Sequence, residues 1–427
     1  MAKKKQQSIQ SVPLVAIDLG SSSVRAMAAE YTDNGMLRIL GMETSRKFPC
    51  VERGIVSNSS NAGYVISEIL KLLANRIKID NLPSAFVCVG GRTMQIVNVF
   101  SKRDQVRKRE VTQLLLDDME AECKQKIEAK NPDVAVLDLI PTYFVLDNKE
   151  QDEIPSPAQR ATMVETHFTA FVGRKELELK VVGSFDRSSK YLEHSYVRPD
   201  ALLCALASND VLLQGCAILD MGAQTTTLTI YKGNQYLYNK VIPQGGYDIS
   251  RDIESQGMSL AYAEKLKCEY GMAMPELLTT NRTFRIPAVS VQEGKITMSE
   301  QDLAGIIQSR LNQIFQPIEE TLRDYEDRIG VLYITGGASM LQGMEEYVQS
   351  RTAIPVMYGS HVDSLTPDAT DDLCEPTYSA LVGTLLLGAN YRATHPDKIA
   401  APDKGKGLSD KLKENIVSFF TDELTTY

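Results

Sequence analysis

The sequence predicts an α/β protein of two related domains facing each other across a cleft, and three features predict it. Two segments about 200 residues apart share one plan, LVAIDLGSSSVRAMAAEYTDNGMLRILGME and CAILDMGAQTTTLTIYKGNQYLYNKVIPQGG. In each, a short apolar run ends in Asp-x-Gly, Asp18 to Gly20 and Asp220 to Gly222, and passes through small hydroxyl residues into a second strand. The length, 427 residues, suits two to four compact units at roughly 100 to 200 residues each.

Within each segment the second strand (Val24 to Glu30; Thr226 to Tyr231) meets a turn, Asp33-Asn34-Gly35 or Lys232-Gly233-Asn234, and then a third strand. The first meander leads into a helix over Asn61 to Ile77, whose apolar Val65, Ile66, Ile69, Leu70, Leu72 and Leu73 recur at helical spacing. The second leads to a helix at Ser259 to Tyr270. Between them, 94–173 reads as its own unit: a strand (Met94 to Phe100), a charged helix (Glu110 to Glu128), strands at Val134 to Leu146 and Met163 to Val172, and a proline-bearing loop from Asp147 to Gln159. Further on come strand and turn at Arg282 to Thr297, a long helix from Ser299 to Arg328 broken or kinked near Pro317, and a buried strand from Ile329 to Thr335 that ends in Gly336-Gly337-Ala338.

The division this implies is a first domain over 12–93 and 174–203, an inserted subdomain over 94–173, and a second domain over 204–395 with a smaller lobe at about 250–330. Residues 396–407, rich in proline, glycine and lysine, read as a linker, and 408–427 as a terminal helix.

Composition narrows the function. With 46 Lys and Arg against 55 Asp and Glu the net charge is −9, which opposes whole-surface binding to nucleic acid. Seven scattered cysteines without a CxxC pair read as reduced thiols of a cytoplasmic protein, and four distant histidines predict no transition-metal site. The amino terminus has no apolar h-region and no run of apolar residues is long enough to cross a bilayer, so the expectation is a chain neither secreted nor membrane-spanning.

The cleft chemistry is that of a phosphate chain. Glycine lets backbone approach phosphate oxygens, and Ser21, Ser22 and Ser23 offer amide and hydroxyl donors beside Gly20. Asp18 would hold the hydration shell of Mg²⁺, which keeps several waters and uses one or two carboxylates with phosphate oxygens. Asp220, Gly222, Thr225 and Thr226 supply the mirror half, and Asp220 the mirror carboxylate for Mg²⁺ through water. One Asp-x-Gly turn alone is ordinary turn chemistry; the pair in register, with Gly336-Gly337, is what points to a nucleotide.

The order IDLGSSSVR, LDMGAQTT and ITGGASM resembles the two phosphate motifs and the adenosine motif of the actin, heat-shock-chaperone and sugar-kinase superfamily. The fold implied is actin-like (ribonuclease H-like). Within it the chain resembles the FtsA family of bacterial cell-division proteins: the insertion at 94–173, AEKLKCEYG at 263–271, PTYSALVGTLLLG at 376–388 and a tethered terminal helix all fit. The resemblance implies binding of ATP with Mg²⁺, head-to-tail self-assembly and attachment of FtsZ to the inner face of the cytoplasmic membrane at the division site. It also implies contact with later divisome proteins through 94–173, and no nucleic acid. It places Glu264 and Lys267 against ribose and adenine, Gly336, Gly337 and Ala338 under the purine, and Gly245 and Gly246 along the nucleotide; an exposed i, i+3 ion pair is the plainer reading of Glu264 and Lys267.

Two departures stand out. The second phosphate loop of the superfamily usually reads Asp-x-Gly-Gly-Gly-Thr-Thr, and here Ala223 and Gln224 replace two glycines. Where hydrolysing relatives often carry an acidic or amide residue before the proline-bearing helix that links the halves, this chain has Arg198, which cannot accept a proton at neutral pH. Fast ATP turnover is therefore not expected, and a non-enzymatic adaptor is the reading. The alternatives are an ATP-hydrolysing chaperone-like or kinase-like relative and a PilM-like pilus platform protein.

On a helical wheel Leu408, Leu412, Ile416, Val417, Phe419, Phe420 and Leu424 fill one half and polar residues the other, which suits a helix lying at a bilayer interface. Partial burial of these side chains supplies roughly 4 to 7 kcal/mol before ordering costs, a marginal anchor. Many copies linked in one filament would turn weak attachment into avid attachment.

Overall fold

The structure, a computed structural model, describes residues 12–47, 49–156, 158–286 and 296–395. Two five-stranded sheets carry it, and they repeat one topology. In the first the strand order is Tyr191–Val197, Ser84–Val89, Leu14–Leu19, Val24–Tyr31, Leu37–Ser45; in the second it is Val356–Tyr358, Val331–Thr335, Cys216–Met221, Thr226–Lys232, Gln235–Ile242. Each central strand, Leu14–Leu19 or Cys216–Met221, is buried along its whole length, as its unbroken apolar run requires. On one side it meets the antiparallel meander and on the other a parallel strand, Ser84–Val89 or Val331–Thr335. Asp18 lies beside Cys88 and Asp220 beside Thr335, at equivalent positions near the strand ends.

Helices Ser59–Arg76 and Lys175–Ser188 cover the first sheet through Val65, Ile66, Ile69, Leu70, Val181 and Phe185. Asn58 caps the former, its side chain accepting from the Ser60 and Asn61 N–H groups at 2.9 Å. The second sheet packs on Glu300–Asp324, Gly246–Glu254 and Leu260–Tyr270 through Ile249, Ile253, Leu303, Leu311 and Phe315. Glu300–Asp324 runs unbroken through Pro317, where the sequence predicts a break or kink. Buried Ile314, Phe315 and Ile318 flank the proline and hold the helix on the core.

Between Ser84–Val89 and Lys175–Ser188 the chain leaves the first sheet to build a four-stranded antiparallel sheet, ordered Gln95–Glu110, Arg160–Arg174, Val134–Leu146, Lys149–Gln151, with helix Gln113–Lys130 against it. Its first strand extends ten residues past the predicted end at Phe100, to Glu110. Pairing with Arg160–Arg174 carries this charged half, which no apolar period announces. Asp138 of this unit lies within reach of the charge of Asp200, which accepts from the Tyr236 hydroxyl at 2.9 Å. The insertion, the connecting helix and the second sheet therefore meet at two half-buried acids. Burial, with Asp200 adding to it, pushes the Asp138 carboxyl up to about 7.

Two helices join the halves. Arg198–Leu206 runs from the first sheet and packs Ala201, Leu202 and Leu203 in a cluster with Cys216, Ile218 and Tyr236 of the second. Ser379–Thr394, which the sequence division places within 204–395, lies on the first sheet: Leu381, Val382 and Leu385 pack with Leu14, Ala16, Met27 and Phe86. Arg392 near its end forms a bidentate pair with Glu193 at 2.6 and 2.9 Å and donates to the Val12 carbonyl at 2.8 Å. An even helical burial, rather than a stripe, left its partner sheet unreadable from sequence. The two joining helices cross so closely that a Cβ on Gly383 would run into the Ala201 carbonyl.

Gly383→Ala should accordingly destabilise the chain by about 1 to 3 kcal/mol, read as a fall in the urea midpoint, because backbone must move to admit the methyl group. An unchanged midpoint would mean the helices do not approach in this way. Asp138 makes a second prediction. Its carboxyl is protonated more readily folded than unfolded, so its contribution is present below the ordinary value of 3.8 and is lost as pH rises through about 7. Asp138→Asn should raise the melting temperature by a few degrees at pH 8 and leave it nearly unchanged at pH 4.

Candidate functional site

The two Asp-x-Gly turns face each other where the central strands end. Gly20 N–H donates to the Ser23 carbonyl at 3.1 Å, and Gly222 N–H to the Thr225 carbonyl at 2.8 Å, so both turns close in the same way. A Cβ on Gly20 would sit 2.8 Å from the Ser23 oxygen, and one on Gly222 3.0 Å from the Thr225 oxygen. These positions need glycine for close backbone approach. Among the described residues no backbone carbonyl accepts from the N–H groups of Ser21, Ser22, Ala223 or Gln224, which leaves donors for an anion. Ser21 Oγ accepts from Gly54 N–H at 3.2 Å, Ser22 is exposed, Ser23 is buried, and Thr226 Oγ1 donates to the Gln244 carbonyl at 2.9 Å; Thr225 is half-buried.

Gly245 and Gly246 lie against the second turn. Gly246 N–H donates to the Gly222 carbonyl at 3.0 Å and Tyr247 N–H to the Ala223 carbonyl at 2.6 Å. Lys267 reaches across from its helix to donate to the Gly246 carbonyl at 2.7 Å, Ser250 Oγ at 2.9 Å and Glu264 at 2.8 Å. Ser250 Oγ also donates to Glu264. Burial alone would raise the Glu264 carboxyl, but Lys267 and these hydrogen bonds hold it below its ordinary value. The i, i+3 pair is thus real, and it is tied into the helix start beside the cleft rather than left in solvent. Gly336, at φ +88°, packs on the second acid: a Cβ there would lie 2.5 Å from Asp220 Oδ1. Gly337 follows it near Thr377, and Ala338 lies so near Gly246 that a Cβ on the glycine would be 3.1 Å from its methyl group.

Arg198 occupies the centre. Its Nη1 donates to Asp18 Oδ1 at 2.7 Å and its Nε to Asp220 Oδ2 at 2.5 Å, so one guanidinium holds the carboxylates of both Asp-x-Gly turns. The carboxylates are 4% and 7% exposed. Burial alone would lower the Arg198 pKa, but Asp18 and Asp220 reverse this and hold it well above its ordinary value. Neighbouring Cys88 is pushed up to about 12, chiefly by burial, and stays a neutral thiol. Arg198 thus lies between the two carboxylates that the sequence offers to hydrated Mg²⁺, and Asp220 keeps one buried oxygen, Oδ1, without a partner. Two small cavities lined by Leu19, Val56, Val89, Leu177 and Val181, with Ser195, Glu178 and Cys88 at their edges, lie in the first domain and carry no cationic side chain.

Sequence reasoning located Arg198 but missed what it holds, and it missed the Arg53-Gly54 turn. Gln224 Oε1 accepts from Arg53 N–H at 2.8 Å, a hydrogen bond across the cleft. The turn itself, with φ +49° at Arg53 and +74° at Gly54, links the short strands Val51–Glu52 and Ile55–Val56. An Xaa-Gly pair between β-rich dipeptides was the available signal. The amphipathic residues Leu408, Leu412, Ile416, Phe419, Phe420 and Leu424 lie outside the described residues. Among the described residues no helix is long and apolar enough to cross a membrane.

Paired glycine turns at the ends of two sheets of one topology define an actin-like fold. The fold agrees with solved structures: the PilM-PilN type IV pilus biogenesis complex matches at TM-score 0.63 and 16% identity over 88% of this chain and 99% of that one. MreB5 of Spiroplasma citri bound to ADP matches at 0.53 and 12% over 90% and 98%. In sequence the chain is similar to FtsA proteins, the family whose motifs it resembles. The family model described as cell division protein FtsA matches residues 217–383. FtsA of Pseudomonas aeruginosa is 26% identical, with 88% of this chain and 89% of that protein aligned, and FtsA of Bacillus subtilis 25% identical, with 78% and 76% aligned.

The cross-cleft bond gives a prediction. Gln224→Ala should cost about 0.5 to 1.5 kcal/mol and speed amide exchange at Arg53 relative to its neighbours, measured by native-state hydrogen exchange. Unchanged exchange at Arg53 would contradict the bridge.

Proposed function

We propose that this chain binds ATP between its two domains, assembles head to tail with copies of itself, and links FtsZ to the inner face of the cytoplasmic membrane as a peripheral protein of the division site. The observation that carries the nucleotide step is the pairing of two like-closed glycine turns with unclaimed N–H donors beside Gly336 and Lys267. Structures of MreB5, similar in fold, are described as bound to ADP and to AMPPNP, which supports a nucleotide in this cleft. Polyphosphate would lie on Gly20 to Ser23 and Gly222 to Thr226, with the base between the Gly336 to Ala338 loop and the Glu264 and Lys267 side chains. The resemblance to FtsA supports FtsZ as partner and residues 94–173 as the surface for later divisome proteins.

The role is organisational rather than catalytic. Arg198 stands where a water-orienting group would be needed, and with its guanidinium charged and bound to two carboxylates it has no lone pair to take a proton. ATP would serve as a clamp that sets the relation of the domains, with slow turnover at most. The terminal amphipathic sequence would supply the lipid contact, weak per copy and strong per filament.

Liposome pelleting tests this. The full chain should pellet with anionic vesicles, more so with ATP. Phe419→Glu combined with Phe420→Glu puts two charges on the apolar face, where unpartnered burial costs several kcal/mol, about the whole anchor. That double variant should stay in the supernatant while binding ATP normally by calorimetry. Equal pelleting of both chains would show the anchor lies elsewhere.

A further inference from the structure

The acids of the cleft are electrically balanced by the chain itself. Asp18 and Asp220 contribute two negative charges; Arg198 binds one oxygen of each, and Arg25 Nη1 lies 4.0 Å from Asp18 Oδ2. Cys88, the other titratable group against Arg198, is neutral. Two cations therefore face two anions before any ligand arrives. A dication placed between the carboxylates would have to expel a guanidinium that makes two charge-assisted hydrogen bonds. Asp220 Oδ1, buried and without a hydrogen-bond partner, points to the Gly336 loop and marks the side from which a further donor would reach the cluster.

We infer that Arg198 is the built-in counter-ion of this cleft, standing in the role that resemblance gives to Mg²⁺, so that the chain binds a nucleoside polyphosphate without a divalent cation. The inference rests on the nucleotide reading above. Arg198 opens the helix Arg198–Leu206, with Pro199 directly behind it at the first turn, and Gly90 faces its aliphatic stem at 3.5 Å from where a Cβ would stand. The side chain is placed by a rigid element, and it spans the two sheets from there. The remaining N–H donors at Ser21, Ser22, Ala223 and Gln224 meet phosphate oxygens directly, with no hydrated ion interposed.

The test is calorimetric titration of the full chain with ATP, once in excess Mg²⁺ and once in excess EDTA, for the wild type, Arg198→Ala and Arg198→Gln. Wild-type affinities should agree within about threefold, whereas either variant, with two carboxylates exposed to each other, should lose at least about tenfold in EDTA. A wild-type affinity that falls tenfold or more in EDTA overturns the inference. If ATP binds the wild type in neither buffer, the nucleotide reading fails and a second measurement judges Arg198 alone: Mg²⁺ without nucleotide should raise the melting temperature of a variant and leave that of the wild type unchanged. An equal Mg²⁺ response in both overturns the counter-ion role. Arg198→Gln keeps a neutral donor near the position of Nε and serves if Arg198→Ala does not fold.

Discussion

The structure depends on one guanidinium between two carboxylates. Asp18 and Asp220 sit at equivalent points on two sheets, each nearly buried, and the approach of the sheets brings like charge to like charge. Left unpaired, either acid would carry the several kcal/mol penalty of a buried charge. The fork of Arg198, always charged and planar, meets both at once through Nη1 and Nε, which a lysine ammonium on a flexible stem would not reproduce. The helix that bears it also buries Ala201, Leu202 and Leu203 against the second sheet, so charge pairing and apolar packing fix the same domain relation.

The repeated topology gives the cleft its form. Each half ends its central strand in an acid, a glycine and a turn closed by the same backbone hydrogen bond. The halves then diverge according to what lies behind them. The first turn is backed by the Arg53-Gly54 hairpin, and the second by the start of Gly246–Glu254 with Lys267 over it. Ala223 and Gln224, where superfamily members usually have glycine, are not simply obstructions to phosphate: Gln224 spends its side-chain oxygen on Arg53 of the opposite domain. The second turn is thereby tied to the opposite domain by a direct hydrogen bond.

Much of this was legible in the sequence. The repeat announced both meanders, because an apolar run ending in Asp-x-Gly followed by hydroxyl residues is a local pattern, and the helix that the sequence places at Ser259 to Tyr270 is found at Leu260–Tyr270, where Ser259 Oγ accepts from the Tyr262 N–H at 3.3 Å. What escaped was set by distant partners. The strand through Lys102 to Glu110 exists because a neighbour completes its ladder. Ser379–Thr394 is apolar nearly all round, so its sequence did not say which sheet it covers. For the site, the glycine turns were visible as motifs. The bridge was not, because Arg198 is 180 residues from Asp18 and 22 from Asp220 and no spacing rule relates them.

The most direct test of the account is a crystal structure of the full chain grown with ATP and Mg²⁺ together. The account predicts triphosphate density against the N–H groups of both glycine turns, with the Arg198 guanidinium still bridging Asp18 and Asp220. Density for a metal ion between the two carboxylates with Arg198 swung away, or nucleotide bound outside the cleft, would contradict it.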